Sequence, residues 1–216
     1  MSVFNIFRGS PPPLVAQSLN DVQLMLERGQ TMFADASAHL LQNEILEIDL
    51  ARLDEDVNAA EQRIRRAVLG HLSIDPNRDL VFSLKLISIV QEAERIGDLC
   101  KSLAKVAALA DGPRMGPRVE ALREMQQSIQ EMFDLTRRGF VKGDEESADR
   151  VMVMHEEMKG KAARYLTDLA HANDVSTNEA VVLTLAARML SRVSAHLANI
   201  GSAVASSFDR IRRKAI

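Results

Sequence analysis

The sequence predicts an all-α protein: two tandem three-helix bundles, six long antiparallel helices in all. Three observations carry this. The first is composition. Ala, Leu, Met, Glu and Arg carry the chain, aromatic content is 4% and tryptophan is absent. That mix favours helix and offers a sheet few good strand-formers. The second is periodicity. Phe82, Leu86, Ile89, Ala93, Ile96, Cys100, Leu103 and Ala107 recur in steps of four and three, the heptad spacing of a long helix packed in a bundle. The third is an internal repeat. At a 97-residue offset Leu86 matches Leu183, Ile89 matches Ala186, Ile96 matches Val193, Cys100 matches Leu197 and Leu103 matches Ile200. Period alone produces part of such a match. The additional pairing of Arg95 with Arg192, and three helices in each half, favour a true repeat.

Each element follows from local chemistry. Residues 1–13 read as a tail whose prolines, Pro11, Pro12 and Pro13, enforce extended backbone; its Phe4, Ile6 and Phe7 suit docking on the protein's own surface or on a dimer mate. The first helix is expected over about 14–41, with Leu19, Val22, Leu26, Met32, Phe33, Ala36 and Leu40 inward, Gly29 interrupting the face, and a break at Asn43 and Glu44. The second runs over about 46–71, with Leu50, Leu53, Val57, Ala60, Ile64, Ala67 and Val68 on its seam. A turn over 72–79 contains Asp75-Pro76-Asn77, and Asp79 is placed to cap the third helix, which extends to about 109. DGPRMGP, 111–117, is the clearest linker. The fourth helix spans about 118–140, with Val119, Leu122, Met125, Ile129, Met132 and Thr136 inward, and stops at Gly143 and Asp144. The fifth spans about 145–171, with Val151, Met154, Met158, Ala162, Tyr165 and Leu169 inward. The sixth spans about 177–210, and its basic end (Arg210, Arg212, Arg213, Lys214) suits a helix C-terminus. The domains expected are thus a tail (1–13), a first bundle (14–110), a linker (111–117) and a second bundle (118–216).

Composition also excludes functions. A formal net charge of -3 argues against a basic nucleic-acid surface. The single cysteine, Cys100, precludes an internal disulfide framework and fits a reducing cytoplasm, where it packs as a small apolar residue. No apolar run approaches the roughly 20 residues of a membrane span, and the N-terminus lacks the basic start of a signal peptide. The expectation is a soluble, cytoplasmic protein.

The stretch that carries chemistry is QEAERIGDLCKSLAKVA, 91–107. Glu94 and Asp98 are four apart and share a helical face beside the seam. Carboxylates so spaced, facing others on a neighbouring helix, suit Mg2+ or Mn2+ and also iron or zinc. The ordinary alternative is that they pair with Arg95, Lys101 or a neighbouring helix's arginines. Gly97 sits mid-helix, where glycine costs about 1 kcal/mol against alanine and so marks a close approach. Other chemistry is poorly represented. No Glu-x-x-His pattern occurs among His39, His71, His155, His171 and His196, and no phosphate-loop, Gly-x-Ser-x-Gly or His-Glu-x-x-His motif is present. His155-Glu156-Glu157 reads as a solvated acidic face, and Met152, Met154 and Met158 as core filler.

EAERIGDLCKSLA, 92–104, resembles the signature of the PhoU family of phosphate-signalling proteins, and LDEDVNAAEQRI, 53–64, looks like that family's second-helix element. The resemblance implies a metal-binding acidic pair on the second and third helices of each bundle. Carried onto this chain, the third-helix pair is Glu94 and Asp98, and the second-helix pair is Asp54 and Asn58, one acid having become an amide. In the second half the positions fall on Ser191 and Ala195, and near His155 and Lys159, so that half is expected to be metal-free. The resemblance further implies a cytoplasmic, homodimeric, non-enzymatic repressor of phosphate uptake that contacts a phosphate transporter and a sensor histidine kinase. The alternatives are an accessory subunit of a sodium–phosphate cotransporter and a metal-dependent phosphohydrolase, the latter lacking any identifiable base or nucleophile.

Overall fold

The structure is a computed structural model, and it describes residues 13–75 and 79–205, with side chains from 17 onward. Six α-helices follow one another: α1 (Pro13–Leu41), α2 (Leu50–Ile74), α3 (Leu80–Ala107), α4 (Pro117–Lys142), α5 (Glu145–Ala170) and α6 (Thr177–Ala205). No strand occurs among the described residues. Expectations for 1–12, for Pro76 and Asn77, and for the basic end at 210–214 lie outside the described residues.

Boundaries depart from expectation where capping chemistry decides them. Pro13 belongs to α1 rather than to the tail, because its fixed φ suits a first helical turn that needs no amide donor. α2 starts at Leu50, four residues later than periodicity suggests. The Asp49 carboxylate accepts the Arg52 amide at 3.0 Å and sets the start there. α2 also continues past His71 to Ile74. Asp79 precedes α3 but makes no side-chain cap. Its backbone is left-handed, and its carboxylate lies 3.6 Å from His71 Nε2 instead. At the α4–α5 junction Gly143 takes the left-handed conformation, and Asp144 caps α5 through the Ser147 amide and hydroxyl at 3.2 and 2.6 Å.

α1, α3, α4 and α6 form the middle of the molecule; α2 flanks α1 and α3, and α5 flanks α4 and α6. Cross-helix bonds fix directions. Arg63 to Asp21 (2.6 Å) and Arg28 to Asp56 (3.4 Å) set α2 antiparallel to α1. Gln30 to Asp134 (3.0 Å) and Arg137 to Glu27 (3.6 Å) do the same for α4 against α1. All eight seam residues of α3 are buried, Cys100 among them. The halves share one core: Phe33 of α1 meets Phe133 of α4 with ring centroids 5.6 Å apart. α6 is long and apolar enough to cross a membrane by length and composition, but its inward face, including Val182, Leu183, Leu190, Leu197 and Val204, is buried against this core.

Candidate functional site

The four residues singled out for metal binding converge on one face of α2 and α3. Asp54 lies one turn into α2 and is buried. Gly97 makes its position possible: a Cβ there would lie 3.2 Å from Asp54 Oδ1, so a side chain would push the carboxylate away from α3. The mid-helix glycine thus has a packing reason, and the reason is an acid of the candidate site.

Asp54 Oδ2 accepts two hydrogen bonds, from Asn58 Nδ2 at 3.1 Å and from Lys101 Nζ at 2.6 Å. The same ammonium lies 3.0 Å from Asp98 Oδ1. One positive charge is therefore shared between an acid on α2 and an acid on α3. Burial disfavours the Lys101 charge, but hydrogen bonds to Asp54 and Asp98 outweigh it and hold the ammonium above the ordinary lysine range. Glu94, one turn before Asp98, is half-buried; burial first, then the neighbouring charges of Asp98 and Glu61, push its carboxyl up, against an opposing effect of Arg95. Arg95 Nε stands 3.8 Å from Glu94 Oε2, and Arg65 holds Glu61 at 2.7 Å.

The face is rich in oxygen acceptors, and Lys101, Arg95 and Arg65 pair with its acids. Lys101 supplies the positive charge between Asp54 and Asp98. Hard oxygen ligands on two packed helices suit Mg2+ or Mn2+. Among the described residues, however, no three His, Cys, Asp or Glu side chains are already arranged around one ion position. The ordinary pairing with Lys101 and Arg95 foreseen from sequence is the arrangement present, and sequence spacing did not foresee that Lys101 also reaches Asp54 across the helix pair.

The second half has a different solution at the matching place. Ser194, 97 residues on from Gly97, faces His155 of α5, with His155 Nδ1 and Ser194 Oγ 2.9 Å apart. The expectation of a solvated His155 is thus corrected: the ring is buried, and only Glu156 and Glu157 face solvent. Burial lowers the His155 pKa, so the imidazole stays neutral. Ser191 and Ala195 carry no charge, and Lys159 pairs with Glu156 at 3.1 Å.

Comparison with known proteins agrees with the six-helix fold. A family model described as the PhoU domain matches residues 19–107 and again 122–204. The fold is similar to that of PhoU from Pseudomonas aeruginosa, with a TM-score of 0.81 and 20% identity over 88% of this chain and 95% of that one. It is also similar to the phosphate transport system regulatory protein PhoU from Streptococcus pneumoniae, with a TM-score of 0.70 and 17% identity over 88% of this chain and 91% of that one. No curated protein matches.

Proposed function

The chain belongs to the PhoU family, and on that footing we propose that it is a non-enzymatic regulator of phosphate uptake and phosphate-starvation signalling. The observation that carries this reading is the family match in both halves, the first of which holds Glu94-Arg95-Ile96-Gly97-Asp98 on α3. The regulator acts in the cytoplasm, as a homodimer, through contacts with a phosphate transporter and a sensor histidine kinase. Long helices with solvated outer faces suit that role, since they present extended surface to partner helices. Asp54, Asn58, Glu94 and Asp98 would hold a divalent ion on the α2–α3 face, and the ion would add a charge-bearing contact surface. Catalysis is not assigned. Cys100 is buried and burial pushes its thiol up, so it stays protonated; His155 is engaged with Ser194.

The test is phosphate uptake, with a reporter of phosphate-starvation genes, in cells lacking this protein and grown in ample phosphate. Raised uptake and a reporter left on, both restored by the wild-type chain, are the expected result. Normal uptake with a silent reporter overturns the regulatory reading.

A further inference from the structure

We propose that this chain's own N-terminal segment, residues 1–12, docks on an exposed apolar face at the end of the first bundle where α2 gives way to α3, seating Phe4, Ile6 and Phe7 against Leu80, Val81 and Leu84. The contact depends on neither an ion nor a partner protein. A partner that uses this end of the molecule has to displace the segment first.

Three observations support it. The first is the face. Leu69 and Ile74 near the end of α2, with Leu80, Val81 and Leu84 at the start of α3, are five of the eleven large apolar side chains exposed among the described residues. Apolar side chains gathered at one place mark a contact site, whereas single ones scattered over a surface do not. The second is the chemistry of the segment. Phe4, Ile6 and Phe7 are apolar, and Arg8 is its one charged side chain. The phenylalanines among the described residues, Phe33, Phe82, Phe133 and Phe140, are all buried. Two more phenyl rings gain in the same way from leaving water. The third is chain geometry. α2 runs antiparallel to α1, and the pairs His71–Asp79 and Asp54–Lys101 set it antiparallel to α3 as well, so α1 and α3 run the same way. A Cβ at Gly29 would lie 3.4 Å from Ile96 Cγ2, and Pro13 stands as far before Gly29 as Leu80 stands before Ile96. The start of α1 is therefore level with the start of α3. Phe7 is six positions before Pro13, which allows about 20 Å of extended chain to pass around helices about 10 Å across. So short a tether holds the segment at an effective concentration of about 1 mM at the face.

The chain has no tryptophan, so Phe7→Trp in the full-length protein puts a single fluorescent reporter on the segment. Its emission should lie to the blue of free tryptophan, and acrylamide should quench it slowly. Adding Val81→Ser and Leu84→Ser should move the emission to the red and raise the quenching. Adding Val153→Ser, which removes an exposed apolar side chain of α5, should change neither. Thermal melts show that each variant is folded. A second measurement tells which chain is covered: Phe7→Cys/Leu84→Cys is treated with a short bismaleimide, and Cys100, being buried, stays out of the reaction. At about 10 µM protein the expected product is an internally bridged monomer, favoured about a hundredfold over a bridge between free chains by that effective concentration. A covalent dimer as the main product would overturn docking within one chain and assign the face to a second copy. Phe7→Trp fluorescence that matches free tryptophan, or that ignores Val81→Ser and Leu84→Ser, would overturn docking here altogether and leave the face to residues 206–216 or to another protein. Absence of any bridged product would overturn it as well.

Discussion

Asp54 and His155 show what single side chains decide in this molecule. Each lies on the outer helix of its half and presses against a small residue of the inner helix, Gly97 or Ser194. Glycine admits a carboxylate and its cation; serine admits an imidazole and bonds to it. The consequence for His155 is a pH dependence with a definite sign. Its folded-state pKa lies below the ordinary value of 6.5, burial being the main cause, reinforced by Lys159 and opposed by Glu156. Above pH 6.5 the ring is neutral both folded and unfolded, and its contribution to stability is fully present. As pH falls from there through the lower folded value, the unfolded chain takes up the proton first and stability is lost. His155→Gln keeps a partner for Ser194 and cannot titrate. Denaturant melts at pH 7.5 and pH 5.5 should show wild type losing more stability than this variant. An equal loss in both proteins would mean that other groups carry the acid sensitivity.

At the scale of elements, helix ends are where the sequence was least readable. Periodicity located the seam of every helix because burial acts on every turn. Caps act once, and several come from distant parts of the chain. α1 is the clearest case. Its last carbonyls are bonded by arginines 70 or more residues away: Arg114 donates to His39 O at 2.6 Å and Leu40 O at 2.7 Å, and Arg123 donates to Leu41 O at 2.7 Å. Arg114 and Asn43 also bond each other through backbone and side chain, at 2.8 and 3.0 Å. The stretch 111–117 read as a linker because of its glycines and prolines. Those residues do connect the halves, but the arginine among them is a C-cap for a helix it does not neighbour in sequence. The candidate site was legible to a similar degree. The spacing of Glu94 and Asp98 and the glycine between them were visible, whereas the bridge from Lys101 to Asp54 depends on helix register, which spacing within one helix does not encode. Arg114→Ala should cost about 2 kcal/mol, the range for hydrogen bonds made by a charged group, and lower Tm by roughly 4–8 °C. Arg114→Lys should recover only part of this, because one ammonium cannot reproduce the two-pronged guanidinium contact. Full recovery by lysine in a thermal melt would show that charge alone, not the fork, holds the end of α1.

For the whole molecule, the question is whether two repeats make two domains. The linker suggests separable bundles; the packing does not. α3 and α6, the third helix of each half, lie antiparallel against each other, and their shared surface holds apolar residues that each half alone would expose. Within that surface Glu92 is 4% exposed, and its Oε2 contacts His196 Nδ1 at 2.7 Å and Asn199 Nδ2 at 2.9 Å. Gln126 of α4 donates to Ser37 Oγ of α1 at 2.7 Å in a second buried crossing. A hydrogen-bonded contact so placed adds little net stability, but removing one partner leaves the other's bonding capacity unmet. Its placement between the halves therefore couples their unfolding. Calorimetry should give a single transition with calorimetric and van't Hoff enthalpies equal. Glu92→Ala should shift that transition down as a unit, by about 2 kcal/mol or roughly 4–8 °C, because His196 and Asn199 lose a buried acceptor. If the bundles were independent domains on a tether, wild type would melt in two steps, and Glu92→Ala would leave at least one of them in place. The apolar α3–α6 surface makes one step the physical expectation, since neither half can bury that face by itself.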